Sequence, residues 1–155
     1  MPNKYKAVIF DIDGTLTTTN SWVEITKALG ADSQKHDQIY LARKAGALNL
    51  EDSRKLLLEL WQNTKNANQT FLRSSLSNTK LRPEAKKLFE YLHQNGYTTC
   101  LITGSNNLFA QEIANKLGTK HYYANAEFKF DQNGQLIHYD YNIDQGAKKL
   151  EQLQD

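Results

Sequence analysis

Two carboxylates one residue apart, Asp11 and Asp13, follow the short apolar run Ala7-Val8-Ile9-Phe10 and precede Gly14-Thr15-Leu16-Thr17. An aspartate carboxylate can attack an electrophile, move a proton or bind a hard divalent cation. Two unpaired carboxylates this close repel, and a divalent cation is the usual remedy. Gly14 lets the backbone turn sharply and approach a ligand with no Cβ in the way. An EF-hand would need glycine at its sixth position and glutamate at its twelfth, where this chain has Leu16 and Trp22. A dinucleotide site fails because no G-x-G-x-x-G follows the run. A plain turn, with Asp13 capping its own backbone and Gly14 at positive φ, would use the same residues without chemistry.

Two further segments carry suitable groups. Thr103-Gly104 follows the β-branched and apolar run Thr98–Ile102, and a hydroxyl and N–H groups where a strand gives way to a helix suit a phosphate oxygen. Such a dipeptide is also a common helix start, and Ser105 and Asn106 could equally be caps. Gly146-Ala147-Lys148-Lys149 offers cations, although adjacent lysines on a helix are more often a solvated face.

The elements that must position these residues follow from periodicity. Residues 5 to 10 read as a buried strand of a parallel sheet, which would hold both carboxylates at a strand's carboxyl end, where ligands bind in open α/β sheets. From about 21 to 78 the pattern is helical. Trp22, Ile25, Thr26 and Leu29 stop at Gly30; Ile39, Ala42 and Ala45 stop at Gly46; Leu56, Leu57, Leu60 and Trp61 share one face of a third helix after Asp52. A loop over 63–68 and a short helix over 71–76 follow.

Pro83 suits the first turn of a helix that runs to Gly96. Strand 98–102, helix 108–117 closed by Gly118, and strand 121–124 come next. Phe128–Phe130 and Leu136–Tyr139 flank the hairpin signal Asp131-Gln-Asn-Gly134, and Asp144 caps a last helix carrying Leu150 and Leu153. This order predicts an α/β fold, a Rossmann-like doubly wound parallel sheet formed by residues 1–16 and 80–155, with an inserted all-helical cap over 17–79.

Composition narrows the partners. The 155 residues carry 19 basic and 17 acidic side chains without clustering, so neither a nucleic-acid groove nor a polybasic membrane patch is expected. No apolar run is long enough to span a bilayer, and the first residues lack a signal peptide's apolar stretch. Cys100 stands alone, excluding an internal disulfide and a cysteine-based zinc cluster, and inside a strand it should be buried and inert. His36, His93, His121 and His138 have no metal-ligand spacing and read mostly as surface residues. A cytoplasmic location is expected.

Asp11-Ile-Asp13-Gly14-Thr15-Leu16-Thr17 resembles the first motif of the haloacid dehalogenase superfamily, and Leu101-Ile-Thr103-Gly104-Ser105 is similar to its second. Leu81-Arg82-Pro83 resembles the segment before that second motif. Tyr123-Ala124-Asn125 with a following hairpin, and a helical cap between the two motifs, are similar to the phosphoserine-phosphatase-like subgroup.

The resemblance implies a Mg²⁺-dependent phosphatase acting on a small phosphorylated metabolite. Asp11 would be the nucleophile and Asp13 the general acid and base, with Mg²⁺ on the Asp11 carboxylate and the Asp13 backbone carbonyl. Thr103 and Gly104 would bind phosphate, and Lys149, with Lys148 as the fallback, would neutralise it. Substrate selection would lie in the cap, where Trp22 reads as core and Glu24 as a solvated helix residue. The second acid argues against dehalogenation and against the ion-pump branch.

The resemblance breaks after Lys149, where relatives add a strand and an acidic loop that supplies a further metal ligand. Asp140 and Asp144 precede Lys149, in the wrong order for that role, and the first strand would be left at an open sheet edge. A fragment of a longer phosphatase, a site completed by a partner or second copy, and a non-catalytic phosphate-binding relative remain open, with length favouring the fragment. Phosphotransfer to another acceptor also fits, and oligomeric state is not legible.

Overall fold

The structure, a computed structural model, describes residues 6–142 and 144–154. Tyr5, with which the first predicted strand begins, and Asp155 lie outside the described residues. The elements run β1 (Ala7–Phe10), α1 (Ser21–Ala28), α2 (Ser33–Lys44), α3 (Leu50–Gln62), α4 (Gln69–Ser77), α5 (Ala85–Gln94), β2 (Thr98–Asn106), α6 (Asn107–Leu117), β3 (His121–Phe130), β4 (Leu136–Tyr141) and α7 (Gln145–Gln152). The sheet order is β1-β2-β3-β4, parallel from β1 to β3 and antiparallel between β3 and β4. It is therefore a mixed sheet of the Rossmann type, with β1 on an edge as expected. The hairpin signal at 131–134 supplies the antiparallel strand.

Six of the seven described helices start on a side-chain cap, α5 being the exception. Asn20, Asp32, Asn49, Asn68, Asn106 and Asp144 all accept backbone N–H groups at helix starts, satisfying donors that have no partner inside the helix. Gly118 closes α6 at φ 66°, a left-handed conformation that costs glycine little. Between the helices and the sheet lies one continuous core in which Ile12, Ile25, Trp61, Leu72, Phe89, Leu101, Phe109 and Ile113 are almost wholly excluded from solvent. α5 packs on β2, and α6 packs on β2 and β3. α4 packs on α6 and carries α1 with it. No described helix is long and apolar enough to cross a membrane.

Several expectations need correction. Thr103-Gly104 does not open a helix: β2 continues through it to Asn106, and α6 begins only where the Asn106 side chain accepts from Phe109 N–H at 2.9 Å. Pro83 lies in the turn before α5 rather than in its first helical turn. β3 runs unbroken from His121 to Phe130, so the two predicted short strands are one, paired on both sides. On α3, Ser53, Leu57 and Trp61 form the buried stripe at four-residue spacing, and Leu56 is 41% exposed. Cys100 is only half-buried, although burial still pushes its thiol up toward the neutral form. His36 is buried rather than superficial.

Candidate active site

The carboxylate loop is shaped by one carbonyl. Ile12 O accepts from the N–H groups of Thr15, Leu16 and Thr17 at 3.1, 2.9 and 3.2 Å, and Gly14 takes φ 75° to let the chain wind around it. Ile12 and Leu16 are anchored in the core. From outside, Arg82 Nε donates to Thr15 O at 2.8 Å and Nη2 to Gly14 O at 3.1 Å, while Arg82 N–H reaches Leu16 O. Thr17 and Leu81 form a short antiparallel bridge. The two crossings between β1 and the helices 21–77 are thus stitched together beside the carboxylates.

The carboxylates have different environments. Asp11 accepts from Lys149 Nζ at 2.9 Å, an ion pair in which both side chains are about one-third exposed. Lys148 instead faces Glu151 at 3.0 Å. Of the two adjacent lysines, geometry brings Lys149 to Asp11, across 138 residues of chain. Asp13 is gripped by Ser21, whose N–H donates to Oδ1 at 3.1 Å and whose hydroxyl donates to Oδ2 at 2.7 Å. Burial pushes the Asp13 carboxyl above the usual range; the Ser21 hydrogen bonds oppose this, the Asp11 charge adds to it, and Lys149 opposes it. The two neighbouring carboxyls thus sit in unlike surroundings, one against an ammonium and one against a serine.

Gly104 lines the same cavity, and the Gln145 side chain occupies the space a Cβ would need there, with Oε1 only 2.7 Å from that position. Gln145 Oε1 also accepts from Asn125 at 2.8 Å. Thr103 is fully buried, and its hydroxyl oxygen accepts from Ser105 N–H at 3.1 Å. That bond uses one lone pair of the hydroxyl and leaves its proton available; Gly104 lines the cavity and Thr103 lies just behind it.

The cavity holds about 570 Å³, within the range of roughly 300–1,000 Å³ typical of small-molecule sites. Asp11, Asp13, Gly104 and Lys149 line it on the sheet side, and Trp22, His36, Tyr40 and Arg43 line it from α1 and α2. Trp22, read as core, does both jobs: it stacks on Trp61 at 6.0 Å between centroids and also faces the cavity. Glu24 pairs with Lys27 at the surface, as expected of a solvated helix residue.

The donors suit a hard cation. Mg²⁺ takes oxygen ligands, commonly one or two carboxylates completed by water and substrate phosphate. Asp11 offers a carboxylate, and each Asp13 carboxylate oxygen accepts one hydrogen bond from Ser21 and keeps a further lone pair. Among the described residues no three metal-ligating side chains come together.

Sequence reasoning missed Ser21, Gln145 and Arg43. Asn20-Ser21 is visible as a helix start, and that signal could have placed Ser21 N–H near the carboxylate loop. Nothing in sequence ties Gln145 to Gly104, or Arg43 to the cavity, because both meetings depend on tertiary packing.

Comparison with known proteins gives three results. The family described as haloacid dehalogenase-like hydrolase matches residues 5–154. No curated protein matches the chain significantly. Solved structures of similar fold include a phospho-aspartyl intermediate analogue of a phosphoserine phosphatase, at 21% identity and TM-score 0.62 over 86% of this chain and 61% of that one. A substrate-bound phosphoserine phosphatase complex matches at 19% identity and TM-score 0.70 over 97% and 71%. A hydrolase of the same family from Salmonella enterica serovar Typhi matches at 20% and TM-score 0.68 over 85% and 44%. These likenesses are of fold, and the chain spans less than two thirds of the first and last of these three.

Proposed function

Because the chain belongs to the haloacid dehalogenase-like hydrolase family, we propose that it is a phosphatase, cleaving a phosphomonoester through an aspartyl-phosphate on Asp11. The carrying observation is the pairing of Asp11 with Lys149 at 2.9 Å beside an Asp13 held by Ser21, with Asp11, Asp13 and Lys149 lining one cavity.

In the first step an Asp11 carboxylate oxygen forms a bond to phosphorus as the bond to the leaving oxygen breaks. Asp13, protonated, gives its proton to that oxygen. In the second step water attacks phosphorus, Asp13 takes the water's proton, and the bond to Asp11 breaks to release phosphate. The Lys149 ammonium balances the charge of Asp11 and of the incoming phosphoryl oxygens. The Gln145 side chain, packed against Gly104, faces the phosphoryl group from the cavity wall. Ser21 keeps both Asp13 oxygens in place between the two proton transfers. Mg²⁺, held by the Asp11 carboxylate and Asp13 carbonyl, would supply charge neutralisation for the transferring group. In this reading residues 17–79 form the cap over a site on 1–16 and 80–155.

Phosphate release from phenyl phosphate, measured with Mg²⁺ or with EDTA, tests the proposal beside Asp11→Asn. Mg²⁺-dependent turnover in the parent, lost in the variant, is the expected result. A folded parent that releases no phosphate overturns it in favour of a phosphate-binding relative.

A further inference from the structure

Among the described residues β1 pairs only with β2, which leaves its other side as a sheet edge. Edge strands are usually blunted by a charge, a proline or a bulge, and Ala7-Val8-Ile9-Phe10 carries none of these. The helices on the two faces turn apolar flanks to the same edge. On α5, Ala85, Phe89 and Leu92 are buried, and Phe89 meets Phe10 of β1 with ring centroids 4.7 Å apart. His93 turns to the β2 side, where Nε2 lies 2.8 Å from Thr99 Oγ1, so Leu88 and Tyr91 turn the other way, past β1. α7 lies on the opposite face, with Gln145 against Gly104 and Lys149 reaching Asp11. Leu150 and Leu153 share the Lys149 flank of that helix, away from the Lys148–Glu151 pair.

Ile9, Leu88, Tyr91, Leu150 and Leu153 are 43–60% exposed, and they are five of the nine large apolar side chains exposed among the described residues. An unpaired strand with apolar side chains above and below it is an interaction surface. The charges at the two ends of β1 select its occupant. Exposed Lys6 precedes the strand, and Asp11 follows it. Two copies of β1 running parallel would set lysine beside lysine and aspartate beside aspartate. Running antiparallel, each Lys6 lies at the partner's Asp11 end and the uncharged stretches face each other. A two-fold axis normal to the sheet then sets α5 against α5 and α7 against α7.

We propose that two copies of this chain associate by antiparallel pairing of β1, joining the two four-stranded sheets into one. Leu88 and Tyr91 are covered on one face of the joined sheet, and Leu150 and Leu153 on the other. Each Lys6 comes to the rim of the partner's carboxylate loop. The inference is independent of the phosphatase reading. Five side chains about a four-residue strand make a small interface, so the dimer should dissociate at about 1–100 µM, and the chain is a monomer below that range.

Sedimentation equilibrium of the full chain from about 5 to 500 µM should show monomer and dimer in equilibrium. Ile9→Lys, Tyr91→Glu and Leu150→Glu, each at an exposed position, should weaken association about tenfold or more. Leu41→Glu, on α2 and as exposed as Tyr91, should leave it unchanged. Lys6→Gln should weaken an antiparallel dimer and would strengthen a parallel one. In hydrogen exchange, β1 amides should gain protection as concentration rises through the dissociation constant. A parent that stays monomeric to about 500 µM overturns the inference. So do folded edge variants that associate as the parent does, and a dimer that Lys6→Gln strengthens or that leaves β1 exchange unchanged.

Discussion

At the scale of single residues, the site rests on making two similar carboxylates behave differently. Asp11 keeps an ammonium on one oxygen; Asp13 is half-buried and carries two hydrogen bonds from one serine. The division of labour predicts how Asp13→Asn depends on the leaving group. An alkoxide needs a proton as it departs, whereas a nitrophenolate leaves without one. On kcat/KM, which reports the steps through the first phosphoryl transfer, Asp13→Asn should cost roughly 10²–10⁴-fold with an alkyl phosphate and clearly less with p-nitrophenyl phosphate. Equal losses on the two esters would remove Asp13 from the role of acid. These two residues were legible in sequence because their spacing, the preceding strand and Gly14 all lie within a few positions. Lys149 was legible only as one of two, since nothing local distinguishes it from Lys148. The distinction comes from which face α7 turns toward β1.

At the scale of elements, the helices between the two halves of the sheet are joined by a buried polar knot. Trp61 Nε1–H of α3 donates to Thr26 Oγ1 of α1 at 2.9 Å, and that hydroxyl lies 2.5 Å from His36 Nδ1 of α2. Burial pushes the His36 imidazole below its ordinary value, an effect that Asp37 partly opposes. The native state therefore prefers neutral His36, while the unfolded chain takes up its proton near pH 6.5. Stability is fully present above that pH and falls as pH drops from there through the lowered native value, with a slope of at most about 1.4 kcal/mol per pH unit. Urea unfolding of the parent and of His36→Gln between pH 5 and 8 should show this extra acid-side loss in the parent only; parallel curves would refute it. The helices themselves were readable from apolar spacing and from Asn and Asp at their starts. The polar knot was not, because a lone histidine on a polar helix carries no mark of the threonine and tryptophan it will meet. The extent of β2 was misread for a related reason: Thr103-Gly104 has the local chemistry of a helix start, but pairing with β3 extends the strand past it.

At the scale of the whole molecule, the site joins the loop after β1 to α7, and α7 is anchored less firmly than the middle of the sheet. β2 and α6 are deeply buried, whereas α7 has Gln152 as its only buried described residue and exposes Leu150 and Leu153. The Asp11–Lys149 pair that fastens α7 to β1 is about one-third exposed, so it contributes no more than about 1 kcal/mol. Local stability should follow this gradient, since elements with few buried contacts open before the core does. In native-state hydrogen exchange, the amides of α7 should exchange well before those of β2 and α6. Phenylphosphonate with Mg²⁺ should slow α7 selectively, because a ligand bridging Lys149 and the carboxylate loop must be released before the helix can open. At a hundredfold excess over Kd that protection approaches about 2.7 kcal/mol. Asp11→Asn should leave α7 exchanging faster and weaken its response to the phosphonate, while β2 and α6 stay unchanged. Uniform protection across the three elements would mean that α7 is part of the core unfolding unit, and that the lysine is held in place by the fold instead of by the ligand it serves.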